Sequence, residues 1–160
     1  NEFIKDLTLA LKGNTLVLFQ FVEKHGSIID DMIKSNTDRK VFYVFGGTDT
    51  QTREDIRAIT EKERDAIIVA SYGTFSTGIN IRNLHNIVFS SPSKSRVRTL
   101  QSIGRGLRRS ETKDSAILFD IADDLTYKSK RNFTINHFME RINIYNEEQF
   151  DYEIKRIKLK

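Results

Sequence analysis

Five short apolar runs constrain the fold more than any other feature of the chain. Thr15–Gln20 (TLVLFQ), Val41–Phe45 (VFYVF), Ala66–Ala70 (AIIVA), Asn86–Ser90 (NIVFS) and Ala116–Ile121 (AILFDI) are rich in Val, Ile and Phe, and each is too short for an ordinary helix. A continuous apolar run, without polar alternation, reads as a strand buried on both faces. Between the runs lie polar segments of helical periodicity, roughly Glu23–Lys34, Gln51–Glu63 and Arg96–Leu107, with a later one at Asn132–Glu148. Strand, helix and strand in repetition predict right-handed crossovers and a mostly parallel sheet covered on both faces, an α/β domain.

At 160 residues the chain has the length of one domain, enough to bury about 70% of the surface that its unfolded form exposes. Residues 1–160 therefore read as a single domain. Phe3, Ile4, Leu7 and Leu11 share one helical face within residues 1–13, which predicts a helix packed on this domain or a neighbouring one. Residues 132–160 read as a helix followed by an edge strand guarded by lysines, Lys155–Lys160. The helix, with Phe133, His137, Phe138, Arg141, Ile142 and Tyr145, reads as a core cover rather than a second site. The chain begins Asn1-Glu2-Phe3 without Met, so it is expected to be part of something longer.

Composition removes several chemistries. With no cysteine there is no disulfide, thiol nucleophile or thiolate metal site, and a cytoplasmic setting is expected. His25, His85 and His137 have no metal-ligand spacing, so no metal site is expected on this chain. No apolar run reaches the ~20 residues of a membrane span, so no membrane partner is expected. The net charge of +4 permits an anionic partner without identifying one.

Three segments carry candidate chemistry. On a helix, Gln101, Gly104, Arg105 and Arg108 stand at i, i+3, i+4 and i+7, placing an amide and two guanidiniums on one stripe. Two such forks side by side repel unless an anion lies between them, and a polyphosphate matches their geometry. A solvated basic helix face is the plainer alternative. Ala70–Asn80 (ASYGTFSTGIN) follows a strand and combines small hydroxyl residues with two glycines, which suits phosphate approach, although on these residues alone an ordinary polar loop is the stronger reading. Gly46-Gly47-Thr48-Asp49-Thr50 offers either a ligand loop or simple caps for the next helix. No glycine precedes a lysine, so the chain has no GxxxxGK[ST] phosphate loop.

In these residues the chain resembles the second RecA-like domain of superfamily 2 helicases and translocases, with motifs in family order over nearly its whole length. The core of Thr15–Gly26 (LVLFQFVEKHG) resembles motif IV, Gly46-Gly47-Thr48 the segment that holds a nucleic-acid phosphate, and Ser71–Asn80 motif V. Gln101–Arg108 (QSIGRGLR) matches the QxxGRxxR of motif VI. The resemblance implies a three-layer αβα RecA-like domain lacking its own phosphate loop, which is one half of an ATP site.

The missing first lobe would supply the phosphate loop and the Mg²⁺ ligands, and residues 1–13 would join it. Arg105 and Arg108 would be arginine fingers, with Gln101 organising the same site. Gly78, Asn80 and Gly104 would lie against the nucleotide, Asn80 standing where the family often has Asp. Gly47, Thr48, Ser71, Tyr72, Gly73 and Thr74 would face a nucleic-acid strand, with Lys94 on that track or in the cleft between lobes. The implied partner is DNA, single-stranded or branched, including recombination intermediates and RNA–DNA hybrids. A non-catalytic nucleic-acid-binding domain, or a lobe of an RNA helicase or duplex-DNA translocase, is the competing reading.

Overall fold

Each apolar run forms a strand: β1 (Thr15–Phe19), β2 (Val41–Val44), β3 (Ile67–Ser71), β4 (Asn86–Phe89) and β5 (Ile117–Asp120). These come from a computed structural model that describes residues 1–78, 81–91, 116–124 and 133–159. The strands form one sheet in the order β2-β3-β1-β4-β5, and every pairing is parallel. All residues of β1, β3 and β4 are buried, as unalternating apolar runs require.

The helices are α1 (Glu2–Ala10), α2 (Ser27–Lys34), α3 (Thr50–Lys62), α4 (Tyr72–Gly78) and α5 (Phe133–Glu147). The chain moves from β1 out to β2, then back through β3, which inserts between them. Right-handed crossovers that run in opposite directions lie on opposite faces of the sheet. On one face Ile4 of α1 and Ile29 and Ile33 of α2 pack against Val17, Phe19, Ile67, Val69 and Val88. The opposite face, Leu16, Leu18, Ile68, Ala70, Ile87 and Phe89, is equally buried, and there the Tyr72 ring of α4 meets Phe89 edge-on at 5.6 Å. The Arg96–Leu107 segment, expected to be helical, lies outside the described residues.

The expected helix over Glu23–Lys34 is two pieces, a π-helical turn at Val22–Gly26 followed by α2. The N–H groups of His25 and Gly26 both donate to the Phe21 carbonyl, at 3.2 and 2.9 Å. Glycine is needed at 26 because a Cβ there would lie 2.4 Å from the ring of Phe19, which has no solvent exposure and no room to move. Gly26→Ala is expected to cost about 1–3 kcal/mol through overpacking, read as a lower urea midpoint with an unchanged slope. A variant as stable as the parent would show that the turn shifts freely.

At the N-terminal edge of the sheet the polar groups satisfy one another. The fully buried Asn14 donates its amide to the carbonyls of Thr60, Glu63 and Asn83 at 3.1, 2.8 and 2.8 Å, and its Oδ1 accepts from Ala66 N–H at 2.8 Å. Asn83 donates to Thr60, Glu61 and Glu63 as well. Together the two amides supply donors to carbonyls at the C-terminal end of α3. Arg39 closes the same edge, donating to the carbonyls of Leu11, Gly13 and Asp65 and pairing with the Asp65 carboxylate at 2.9 Å.

The described chain divides into two compact units, Asn1–Ile121, which holds the sheet, and Ala122–Lys160. In the second unit α5 buries Arg141, Ile142, Ile144 and Tyr145, and Tyr145 packs on Phe150 and Tyr152. The lysine-guarded edge strand expected at the C-terminus does not form: residues 151–159 have no regular secondary structure and are exposed. Ile157 and Leu159 keep a strand's two-residue period, but among the described residues no sheet edge pairs with this segment.

Candidate nucleic-acid interface

A parallel sheet gathers the C-terminal ends of all its strands on one edge, the edge where open α/β sheets bind ligands. Here the register pairs Phe19 with Ser71, Leu18 with Phe89, and Val44 with Ala70. The residues that follow these positions, Gln20–Phe21, Phe45–Thr48, Tyr72–Thr74 and Ser90–Ser91, therefore emerge side by side. Unlike the N-terminal edge, this edge presents glycine backbone to solvent at Gly46, Gly47 and Gly73.

Gly46 and Gly47 form a tight turn held at both ends. Thr48 N–H donates to the Phe45 carbonyl at 2.9 Å, and Phe45 N–H donates to the Thr48 hydroxyl at 3.1 Å. A Cβ on Gly46 would meet nothing within 4 Å, so that peptide stands in the open. Within this segment Asp49 caps α3, accepting from Thr52 N–H at 2.9 Å and from the Thr52 hydroxyl at 2.6 Å. These bonds hold its carboxyl below the usual aspartate range. The end of α3 is thus satisfied internally, and the exposed turn before it is what remains open to a partner.

Ser71, Tyr72 and Thr74, expected to face a strand, have their side chains engaged inside the protein. The Ser71 hydroxyl shares a 2.7 Å hydrogen bond with that of Thr74 and accepts from Thr74 N–H at 3.4 Å. Ser71 thereby caps α4. Tyr72 is 8% exposed and donates to the Ser91 carbonyl at 3.4 Å. The open part of this segment is the Gly73 backbone, where an added Cβ would again meet nothing within 4 Å. Backbone of this kind can approach phosphate oxygens closely without reading a base. Gly78 ends α4, whereas Asn80, Lys94, Gln101, Gly104, Arg105 and Arg108 lie outside the described residues.

Two braces at this edge escaped the sequence reading. Arg53 of α3 reaches back to donate to the Gly46 carbonyl at 3.0 Å and supports the open turn from beneath. Its place one helical turn after the Asp49 cap was the available signal. His25 Nδ1 lies 3.3 Å from the Ser91 hydroxyl and ties the π-helical turn to the end of β4. Nothing local in the sequence pairs residues so far apart.

The family described as the helicase conserved C-terminal domain matches residues 1–110. The chain is 38% identical over 172 aligned residues to the ATP-dependent DNA helicase UvsW of Enterobacteria phage T4, covering 99% of this chain and 34% of that protein. The crystal structure of T4 UvsW superposes with a TM-score of 0.79 over 98% of the chain. The C-terminal part of the Fun30 ATPase domain (20% identity, TM-score 0.61, 91% of this chain and 53% of that one) shares the fold. So does the yeast DEAD-box splicing factor Prp28 (13% identity, TM-score 0.64, 98% and 35%). The chain spans about a third of the length of the curated relative it matches.

Proposed function

Because the chain belongs to the helicase conserved C-terminal domain family, we propose that it is the second motor lobe of an ATP-dependent superfamily 2 DNA helicase or translocase acting on branched or recombination intermediates. The observation that carries this reading is 38% identity over 99% of the chain to a protein described as an ATP-dependent DNA helicase. The QxxGRxxR segment supports the same role. In this reading Arg105 and Arg108 reach the γ-phosphate of ATP, Gln101 and Gly104 line the same site, and Gly78 and Asn80 lie against the nucleotide. The phosphate loop and Mg²⁺ ligands belong to the first lobe. When two such lobes close and reopen around ATP, the contacts each makes to DNA shift as rigid bodies, which advances the strand.

Gly47, Thr48, Gly73 and Lys94 make the phosphate contacts, while Ser71, Tyr72 and Thr74 hold the Gly73 backbone in place. Such contacts position a strand whatever its sequence, which suits a motor that tracks along DNA. The test uses the protein that carries this chain with its first lobe, and measures ATP hydrolysis alone and with single-stranded DNA, forked DNA or RNA. Stimulation of about tenfold or more by DNA is expected, strongest with forks, as transition-state charge stabilisation in a correctly closed cleft requires. Equal stimulation by RNA would favour an RNA helicase lobe, and binding without hydrolysis a non-catalytic domain.

A further inference from the structure

Phe21 is 59% exposed although it leaves the central strand of the sheet directly from the fully buried Phe19. Its exposed chain neighbours Gln20, Glu23 and Lys24 are polar, and the next exposed large apolar side chain along the chain is Ile28. The backbone of Phe21 is held in place. Its carbonyl accepts from both His25 and Gly26 N–H groups. The π-helical turn that follows is fixed to β2 by the Tyr43 hydroxyl on the Val22 carbonyl at 3.2 Å, to β4 through His25 and Ser91, and to β1 by Gly26 against the Phe19 ring.

Phe19 pairs with Ser71 at the ends of neighbouring strands β1 and β3, so Phe21 and the Tyr72–Gly73 start of α4 both emerge from this edge of the sheet. An exposed aromatic ring on a fixed backbone, at the sheet edge where the exposed Gly73 backbone also emerges, has the form of a base-stacking platform, since every nucleobase offers a π-face. We propose that Phe21 stacks on one nucleobase of the bound strand. This rests on the reading of this edge as a nucleic-acid interface, and adds to it the requirement that the strand be unpaired at that point.

The test again uses the protein carrying this chain with its first lobe. Affinities are measured at fixed salt for an oligo-dT, for an abasic oligomer of the same length and for a blunt duplex. Phe21→Ala is expected to weaken oligo-dT binding about tenfold to a hundredfold, leaving abasic and duplex binding unchanged. The salt dependence of oligo-dT binding should stay the same, because no phosphate contact is removed. Phe21→Leu keeps an apolar side chain but not the plane, and should behave like the alanine variant.

Phe21→Trp should retain affinity, and because this chain has no tryptophan of its own, the added emission should be quenched by oligo-dT and not by the abasic strand. Equal losses on oligo-dT and the abasic strand, or recovery by leucine, would overturn the stacking role. So would tryptophan emission already blue-shifted before DNA is added and unchanged by it, which would mark Phe21 as covered by the first lobe. In each of these cases DNA is still bound and the interface reading survives; an unsubstituted protein that binds no nucleic acid would remove both.

Discussion

Arg108→Ala, made in the protein that carries this chain with its first lobe, should lower DNA-stimulated ATP hydrolysis by about a thousandfold or more while DNA affinity stays within about twofold. The expectation follows from where charge appears. As the γ-phosphoryl group leaves, negative charge spreads over its oxygens, and a planar guanidinium already in place stabilises it without reorganisation. That interaction is stronger in the transition state than in the ground state, so its loss lowers the rate constant rather than substrate affinity. Arg108→Lys keeps the charge but not the two-pronged donor geometry, and should restore little. Arg105→Ala should fall in the same range, and the double variant should lose much less than the product, as the proposed action of both on one phosphate requires. Unchanged hydrolysis in Arg108→Ala would sink the finger assignment, and loss of DNA binding in parallel would mean that the QxxGRxxR segment holds the interface rather than the nucleotide.

The largest effect on stability is expected at Asn14. Asn14→Asp removes both amide hydrogens that serve the Thr60, Glu63 and Asn83 carbonyls, and sets a carboxylate against those three oxygens in a site with no solvent exposure. Buried groups left without partners, together with an uncompensated charge, cost about 3–5 kcal/mol. For a unit of this size that is a fall of roughly 10–20 °C in Tm. Asn14→Asp should recover part of the loss at acid pH, where a neutral carboxylic acid can donate one bond. A shift of under about 2 °C would mean that Asn83 alone is a sufficient cap for α3.

The central strands were legible because burial on both faces demands uninterrupted apolar runs, and TLVLF, IIVAS and NIVF carry that demand locally; VFYV and ILFD, at the ends of the strand order, are as apolar but only partly buried. The helix over 23–34 was legible only in part. Its π-helical start depends on Gly26 meeting Phe19, a contact between a glycine and a strand residue that periodicity does not encode. The tail was misread as a strand because Ile157 and Leu159 alternate with lysines, yet a strand forms only where an edge accepts it, and none of residues 151–159 is paired.

Within the site, residue type was legible and direction was not. Gly46, Gly47 and Gly73 were found from composition, and the structure leaves them exposed. Ser71 and Thr74 came from the same reasoning, yet their hydroxyls bond each other. A serine one residue before a helix is as ready to cap as to bind, and only packing chooses. Arg53 and Phe21 drew no attention as isolated residues because their meaning lies in what surrounds them, a glycine carbonyl in one case and open solvent in the other.

Hydrophobic period, the absence of a phosphate loop and the QxxGRxxR spacing are properties of neighbours in the chain, so the α/β class was determined by sequence alone, and the proposal of a partner lobe rests on the same local patterns. The order β2-β3-β1-β4-β5, the division between a self-satisfied N-terminal edge and an open C-terminal edge, and the exposure of Phe21 were decided by tertiary structure. They depend on which distant segments meet once both faces of the sheet are buried. Crossover handedness and packing settle that for the whole domain, and no single segment carries it.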